Sequence, residues 1–251
     1  MCQCGDQFSK FCRAGSTDWL PPDGSIVTAP VVTIDGPSGS GKGTTARLTA
    51  AMLGFHLLDS GAIYRILGLA ALDGGVDLQD AHALCALAAG LKLAFPYDQH
   101  TTQIELDGRN IAGSLRNQNV ADAASQVAVH PEVRDALMSL QRSQVKAPGL
   151  VGDGRDLGTV VFPDATLKIF LDASAAVRAD RRYLELIESG QTVERSAILR
   201  DLEIRDIRDR TRTVAPLVAA DDAYVIDSSE KNPADVLAVV RDLCRAKGLM
   251  Q

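Results

Sequence analysis

The chain is 251 residues long, with 46% apolar and 23% charged residues, enough for one sizeable core and incompatible with disorder throughout. Its net charge of −6 excludes a general affinity for nucleic acid or an anionic membrane, so any grip on phosphate must be local. No apolar run approaches the roughly 20 residues that span a bilayer, and residues 1–30 hold no continuous hydrophobic segment of the secretory kind.

Residues 1–29 read as a loose N-terminal extension, joined to the body through "DWLPPDGS", where prolines and a glycine interrupt regular structure. Cys2, Cys4 and Cys12 fall there, in a spacing that matches no standard zinc pattern. With Cys85 and Cys244 the cysteines are scattered and odd in number, which suits reduced thiols in the cytoplasm. The body, residues 30–251, opens with "VVTID" (Val31 to Asp35), a β-branched run of the kind buried in a parallel sheet. After the loop "GPSGSGKGTT", "TTARLTAAML" has helical composition and Gly54 marks its end. "FHLL" predicts a second strand running into the helical "DSGAIYRILGLAAL", with Ser60 as its candidate cap. "LVGD" (Leu150 to Asp153), "LKIFLD" (Leu167 to Asp172) and "AYVID" (Ala223 to Asp227) are further short apolar strands, with helical stretches between them. That alternation predicts an α/β fold, a five-stranded parallel sheet flanked by helices, with the chemistry at one edge. One stretch breaks the rhythm. "LKLAFPYDQHTTQIELDGRNIAG" alternates apolar and polar residues around turn signals and predicts a small antiparallel insert, about residues 87–120.

Gly36, Gly39 and Gly41 let backbone amides converge on phosphate oxygens, the following helix directs its positive end at them, and Lys42 adds a mobile charge. The pattern G-x-x-x-x-G-K is met, but Gly43 stands where the usual loop has a Ser or Thr that holds magnesium. A dinucleotide fingerprint fails here, because Thr44 replaces its third glycine.

There are 19 arginines against 7 lysines, and between Arg178 and Arg212 nine arginines face eight acids with no lysine. That balance suits individually placed forks for phosphate or carboxylate. "RADRR" carries Arg178, Arg181 and Arg182 just after a strand, either as a cover over phosphates or as a solvated face pairing with Asp180 and Glu185. In "RDIRDRTR", Arg205, Asp209 and Arg212 stand at i, i+4 and i+7 on one helix face, suited to an intrahelical salt bridge or to an anionic substrate. Further candidates are Ser60 and Arg65 in "LLDSGAIYR", Ser125 and Arg134 in "ASQVAVHPEVR", and Asp153, Arg155 and Asp156 in "VGDGRDLGTVVFP". An aspartate such as Asp153, at a strand end beside a phosphate loop, suits magnesium held through water. The histidines His56, His82, His100 and His130 lie outside these motifs.

The series "GPSGSGKGT", "LLDSGAIYR", "ASQVA…VR", "GDGRDLGTVVFPDA", "KIFLDAS", "RR" and "RDIRDRTR…APL" resembles the bacterial cytidylate kinase family over essentially all of residues 30–230. The resemblance implies a P-loop kinase fold and transfer of the γ-phosphoryl group of ATP to CMP or dCMP, with magnesium accompanying ATP. It implies ATP binding by Gly36, Pro37, Ser38, Gly39, Ser40, Gly41, Lys42, Gly43 and Thr44, with Arg178 and Arg182 from a lid at about residues 175–192. Ser60, Arg134, Asp156 and Arg212 would surround the cytosine. Ser125, Arg205 and Asp209 would lie at the sugar and nearby phosphate, and Arg65 and Arg155 at the acceptor phosphate. Lys42, Arg155, Arg182 and Arg205 would be catalytic. No exposed heptad or long apolar patch is legible, so a monomer is expected. Two rivals stay open: a kinase of this fold with another acceptor, for which Asp59 is the plausible base, and a nucleotide switch without a second substrate.

Overall fold

The computed structural model describes residues 29–91, 93–94, 105–106, 109–111 and 113–251. The expected extension therefore lies outside the described residues except at position 29, as do Cys2, Cys4, Cys12 and His100.

Strand β1 (Val31–Asp35) leads through the glycine loop into helix α1 (Lys42–Leu53), then β2 (His56–Asp59) and α2 (Ser60–Gly74). Helix α1 starts two residues before the expected "TTARL" and ends at Gly54, whose left-handed φ of 67° stops it as expected. Helix α3 (Ala81–Gly90) is followed by three two-residue strands, β3 (Leu93–Ala94), β4 (Glu105–Leu106) and β5 (Arg109–Asn110), paired antiparallel in that order. Next come α4 (Gln118–Val127), α5 (Pro131–Arg142), β6 (Leu150–Gly154) and β7 (Leu167–Asp172). The chain finishes with α6 (Ala175–Glu188), α7 (Arg195–Thr211), β8 (Tyr224–Asp227) and α8 (Pro233–Ala246). Polar caps start several of these helices. Ser174 accepts from the Val177 amide, and Asn232 forms a reciprocal box with Asp235.

The main sheet has the order β2-β6-β1-β7-β8, and every recorded pairing in it is parallel. β1 is central and buried along its whole length, as its β-branched run implies. Alternate strand residues feed opposite faces. Val31 and Leu150 join Ile63, Leu67 and Leu137 in one core, while Val32, Ile34 and Val151 join Ala46, Ala50 and Val240 in another. The parallel register gathers Asp35, Asp59, Asp153, Asp172 and Asp227 at the C-terminal edge, where Asp59 sits opposite Asp153.

Helices α2 and α4 approach closely because Gly68 has no side chain. A Cβ there would lie 2.9 Å from the Ala124 amide nitrogen. These helices carry Ser60 and Arg65 on one side and Ser125 on the other, so their spacing sets part of the site. Gly68→Ala should therefore lower the unfolding free energy by about 1–3 kcal/mol despite the better helix propensity of alanine. Urea denaturation would measure it, and an unchanged or higher midpoint would contradict this account of the packing.

Candidate active site

At the sheet edge β1 hands the chain to the glycine loop, where φ is 80° at Gly39 and 92° at Gly41, angles that side chains disfavour. Gly41 precedes α1 without a side-chain cap, so the first helical amides stay available and the positive helix end points at the loop. Lys42 folds back over it, Nζ donating to the Pro37 carbonyl at 3.3 Å and standing 3.9 Å from Asp153. The loop borders an open cleft of about 980 Å³ that reaches Arg65, Arg182 and Arg205.

Gly43 stands against a carboxylate. A Cβ at this position would come 2.9 Å from Asp153 Oδ2, so the carboxylate at the end of β6 occupies the space of the usual hydroxyl. An oxygen is thus placed here by a strand end and not by the helix. Burial pushes the Asp153 carboxyl above its ordinary range, against the pull of Lys42. The Lys42 ammonium is lowered to about 8, by burial first and then by the neighbouring Arg155 cation.

Around the cleft, several cations are paired with carboxylates and Arg205 is not. Arg65 donates to Asp59 at 2.7 Å, and Arg155 donates through Nε to Asp209 at 2.9 Å. Asp59 also caps α2, accepting from the Ala62 amide at 2.8 Å. The cap expected from Ser60 is therefore Asp59 instead, and Ser60, turned inward, donates to Gln141 at 2.7 Å. Arg205 is half-buried, its Nε finds no hydrogen-bond acceptor, and it has no ion-pair partner within 4.0 Å among the described residues. Burial and then Arg155 lower its guanidinium to about 10. The intrahelical bridge that the spacing allowed does not form, because Asp209 turns to Arg155.

Deeper in, Asp156 sits between Arg134, which donates to its Oδ2, and Arg212, 3.6 Å from Oδ1. The Arg134 guanidinium lies 5.5 Å from the Tyr64 ring centre. Arg212 departs from the expected helix face. It follows the last residue of α7 with ψ of 140°, so the chain turns extended and brings the side chain inward. Ser60, Ser125, Arg134 and Asp156 are each 5% exposed, and Asp209 is 6% exposed, so this half of the site is nearly closed to solvent.

The arginines of α6 divide. Arg178, expected among the ATP-binding residues, is 3% exposed; it donates to the carbonyls of Ala173 and Ser38 and pairs with Asp206. The short connection from β7 tucks the first turn of α6 beneath the glycine loop, so Arg178 braces the loop from behind. Arg181 does the same through Ser40 and Ser228, donating to their carbonyls at 3.3 and 2.6 Å. Arg182 pairs with Glu185 and lines the cleft.

A glycine loop and a separate cluster of paired arginines and aspartates thus share one sheet edge. The cytidylate kinase family model matches residues 32–246. The chain belongs to the cytidylate kinase family. It is 52% identical over 212 residues to a curated cytidylate kinase of Aeromonas salmonicida (strain A449), covering 84% of this chain and 92% of that one. With a cytidylate kinase of Klebsiella pneumoniae (strain 342) the identity is 52% over 218 residues, 87% and 96% of the two chains. Solved kinases align more loosely, among them a shikimate kinase from Acinetobacter baumannii at 18% identity and a TM-score of 0.39, covering 89% of this chain and 97% of that one.

For a chain of this family, several residues at the site went unnoticed in the sequence. Gln141 accepts from Ser60, Tyr64 lies under Arg134, and Arg208 donates to Ser125 at 2.9 Å. Gln141 lies in an ordinary helical stretch, and Arg208 meets a partner 83 residues away, so no local spacing marks either. The unpaired Arg205 has a measurable consequence. Arg205→Gln should raise ligand-free thermal stability by about 1 kcal/mol while weakening the stabilisation that inorganic phosphate confers. Melting curves with and without phosphate test this. A destabilised variant with undiminished phosphate response would contradict it.

Proposed function

We propose that this chain is an ATP-dependent cytidylate kinase, moving the γ-phosphoryl group of ATP to the phosphate of CMP or dCMP to give ADP and CDP or dCDP. The observation that carries the reading is Arg205, a half-buried cation that lines the cleft with the glycine loop and has no ion-pair partner among the described residues. Two anions have to meet in such a reaction, and an uncompensated guanidinium between them is what the meeting requires.

In this reading, residues 36–44 hold the ATP phosphates through backbone amides, Lys42 follows the transferring group, and Arg182 closes from the lid at about residues 175–192. Arg178 and Arg181 keep the loop in shape. Arg65 and Arg155 orient the acceptor phosphate, while Ser125, Arg205 and Asp209 face the sugar and its phosphate. Ser60, Arg134, Asp156 and Arg212 recognise the base. An acceptor phosphate with a second pKa of about 6 arrives largely dianionic, so no general base is needed. Asp59, the plausible base for a hydroxyl acceptor, is already committed to capping α2 and pairing with Arg65. A hard oxygen donor such as the Asp153 carboxylate, beside the glycine loop, would hold a magnesium ion brought in with ATP, directly or through water, and the ion would supply positive charge against the phosphates. Catalysis then consists of alignment and charge stabilisation, with water excluded when the lid closes. The reading includes a monomer working in the cytoplasm. Among the described residues, no helix is long and apolar enough to cross a membrane.

ADP formation from ATP should be stimulated strongly by CMP and dCMP, and weakly or not at all by UMP, AMP or no acceptor. Equal stimulation by all four nucleotides would overturn the choice of acceptor. Asp156→Ala should raise KM for CMP by about tenfold or more, and KM for ATP far less, because the loss leaves Arg134 and Arg212 unpaired in the acceptor cluster. Equal effects on both constants would remove its base-reading role.

A further inference from the structure

We propose that Asp35 is a positioning residue for base recognition, holding the turn that presents Asp156 to the nucleotide. The proposal rests on the reading of Asp156 given above. Asp35 ends β1, immediately before Gly36 opens the glycine loop, and its side chain is turned away from the cleft and nearly inaccessible at 5% exposure. Its two oxygens divide between two backbone donors: Oδ1 accepts from the Leu157 amide at 2.9 Å and Oδ2 from the Gly158 amide at 2.8 Å. These are the first two amides of a π-helical turn, Leu157–Val161, that starts directly after Asp156.

The first amides of a helical turn have no partner within it, and a capping side chain normally comes from the adjoining residue. Asp156 caps nothing with its own carboxylate, which is held by Arg134 and Arg212. The cap is supplied instead by β1, across the sheet. Asp156 contributes its backbone carbonyl, accepting from the amides of Val160 and Val161 at 2.9 and 3.3 Å. The Asp156 backbone is thereby clamped on its C-terminal side, and it cannot pivot without breaking the two hydrogen bonds to Asp35. The turn is also pressed onto β1. A Cβ on Gly158 would lie 2.9 Å from the Thr33 hydroxyl and 3.3 Å from Asp35 Oδ2. Burial raises the Asp35 carboxyl to about 7, against the two amides that lower it, with Asp156 and Asp153 adding repulsion. A carboxylate in this place is a costly way to fill a core, so its directional bonds are its use.

Asp35→Asn keeps the volume but turns an amide N–H toward one of the two backbone donors, leaving that donor unpaired. Steady-state rates of the full chain with CMP, UMP and varied ATP test the idea. The expected result is a fall of about tenfold in kcat/KM for CMP, a smaller fall for UMP, and a KM for ATP within about twofold of the parent. Gly158→Ala, which displaces the same turn from the other side without altering a charge, should also narrow the CMP-to-UMP preference. A parent chain without that preference would sink the functional reading itself. A parent that prefers CMP, with both variants keeping its ratio whatever their rates or melting temperatures, would overturn the role of Asp35 alone. Should Asp35→Asn fail to fold, the ratio in Gly158→Ala decides.

Discussion

Lys42, Arg155 and Arg205 repel one another where all three are half-buried, and much of the surrounding structure answers that repulsion. Burial and the mutual field lower Lys42 and Arg205 well below their ordinary values. Strand ends supply part of the answer: Asp153 stands by Lys42, and Asp59 binds Arg65. Helix α7 supplies Asp209 to Arg155. Arg205 is left over. A protein that balanced it internally would be more stable in isolation and less fit to bring two phosphates together.

The same sheet edge has to keep its loops rigid, because charge stabilisation depends on placement to a fraction of an ångström. Lys42 ties the glycine loop to itself through the Pro37 carbonyl, but its other braces lie beyond it. Rigidity comes from outside, from Arg178 and Arg181 of α6 and from the Ser228 hydroxyl, which donates to the Ser40 carbonyl at 2.9 Å. The acceptor turn is held in a comparable way, by a carboxylate from β1. One strand therefore serves both halves: its backbone opens the ATP loop and its last side chain clamps the turn beyond Asp156.

Much of the fold was legible in order. Five short apolar runs separated by helical segments leave a parallel sheet as the natural arrangement, and all five strands are where "VVTID", "FHLL", "LVGD", "LKIFLD" and "AYVID" put them, within a residue or two. The small antiparallel sheet was readable from alternation, and three short strands fall inside it. The candidate site was legible as a set of motifs but not as a set of contacts. Arg205, Asp209 and Arg212 looked like one helix face, yet the helix ends at Thr211, Asp209 pairs with Arg155 and Arg212 turns toward Asp156. Ser60 looked like a cap, and Asp59 took that place because its carboxylate reaches the Ala62 amide and Arg65 together.

By itself the sequence determined the class of chemistry. A glycine loop with a lysine must cradle phosphate, since few other uses exist for that backbone in front of a helix, and arginines scattered among acids must act singly. It also determined the strand order in the chain, because apolar period and length are local properties. Pairing was decided by tertiary structure alone. Which carboxylate neutralises which guanidinium, and which side chain stands against position 43, depend on distances between segments far apart in sequence. Asp153 fills the space beside Gly43 only once β6 lies against β1, and no pattern within either segment records that meeting.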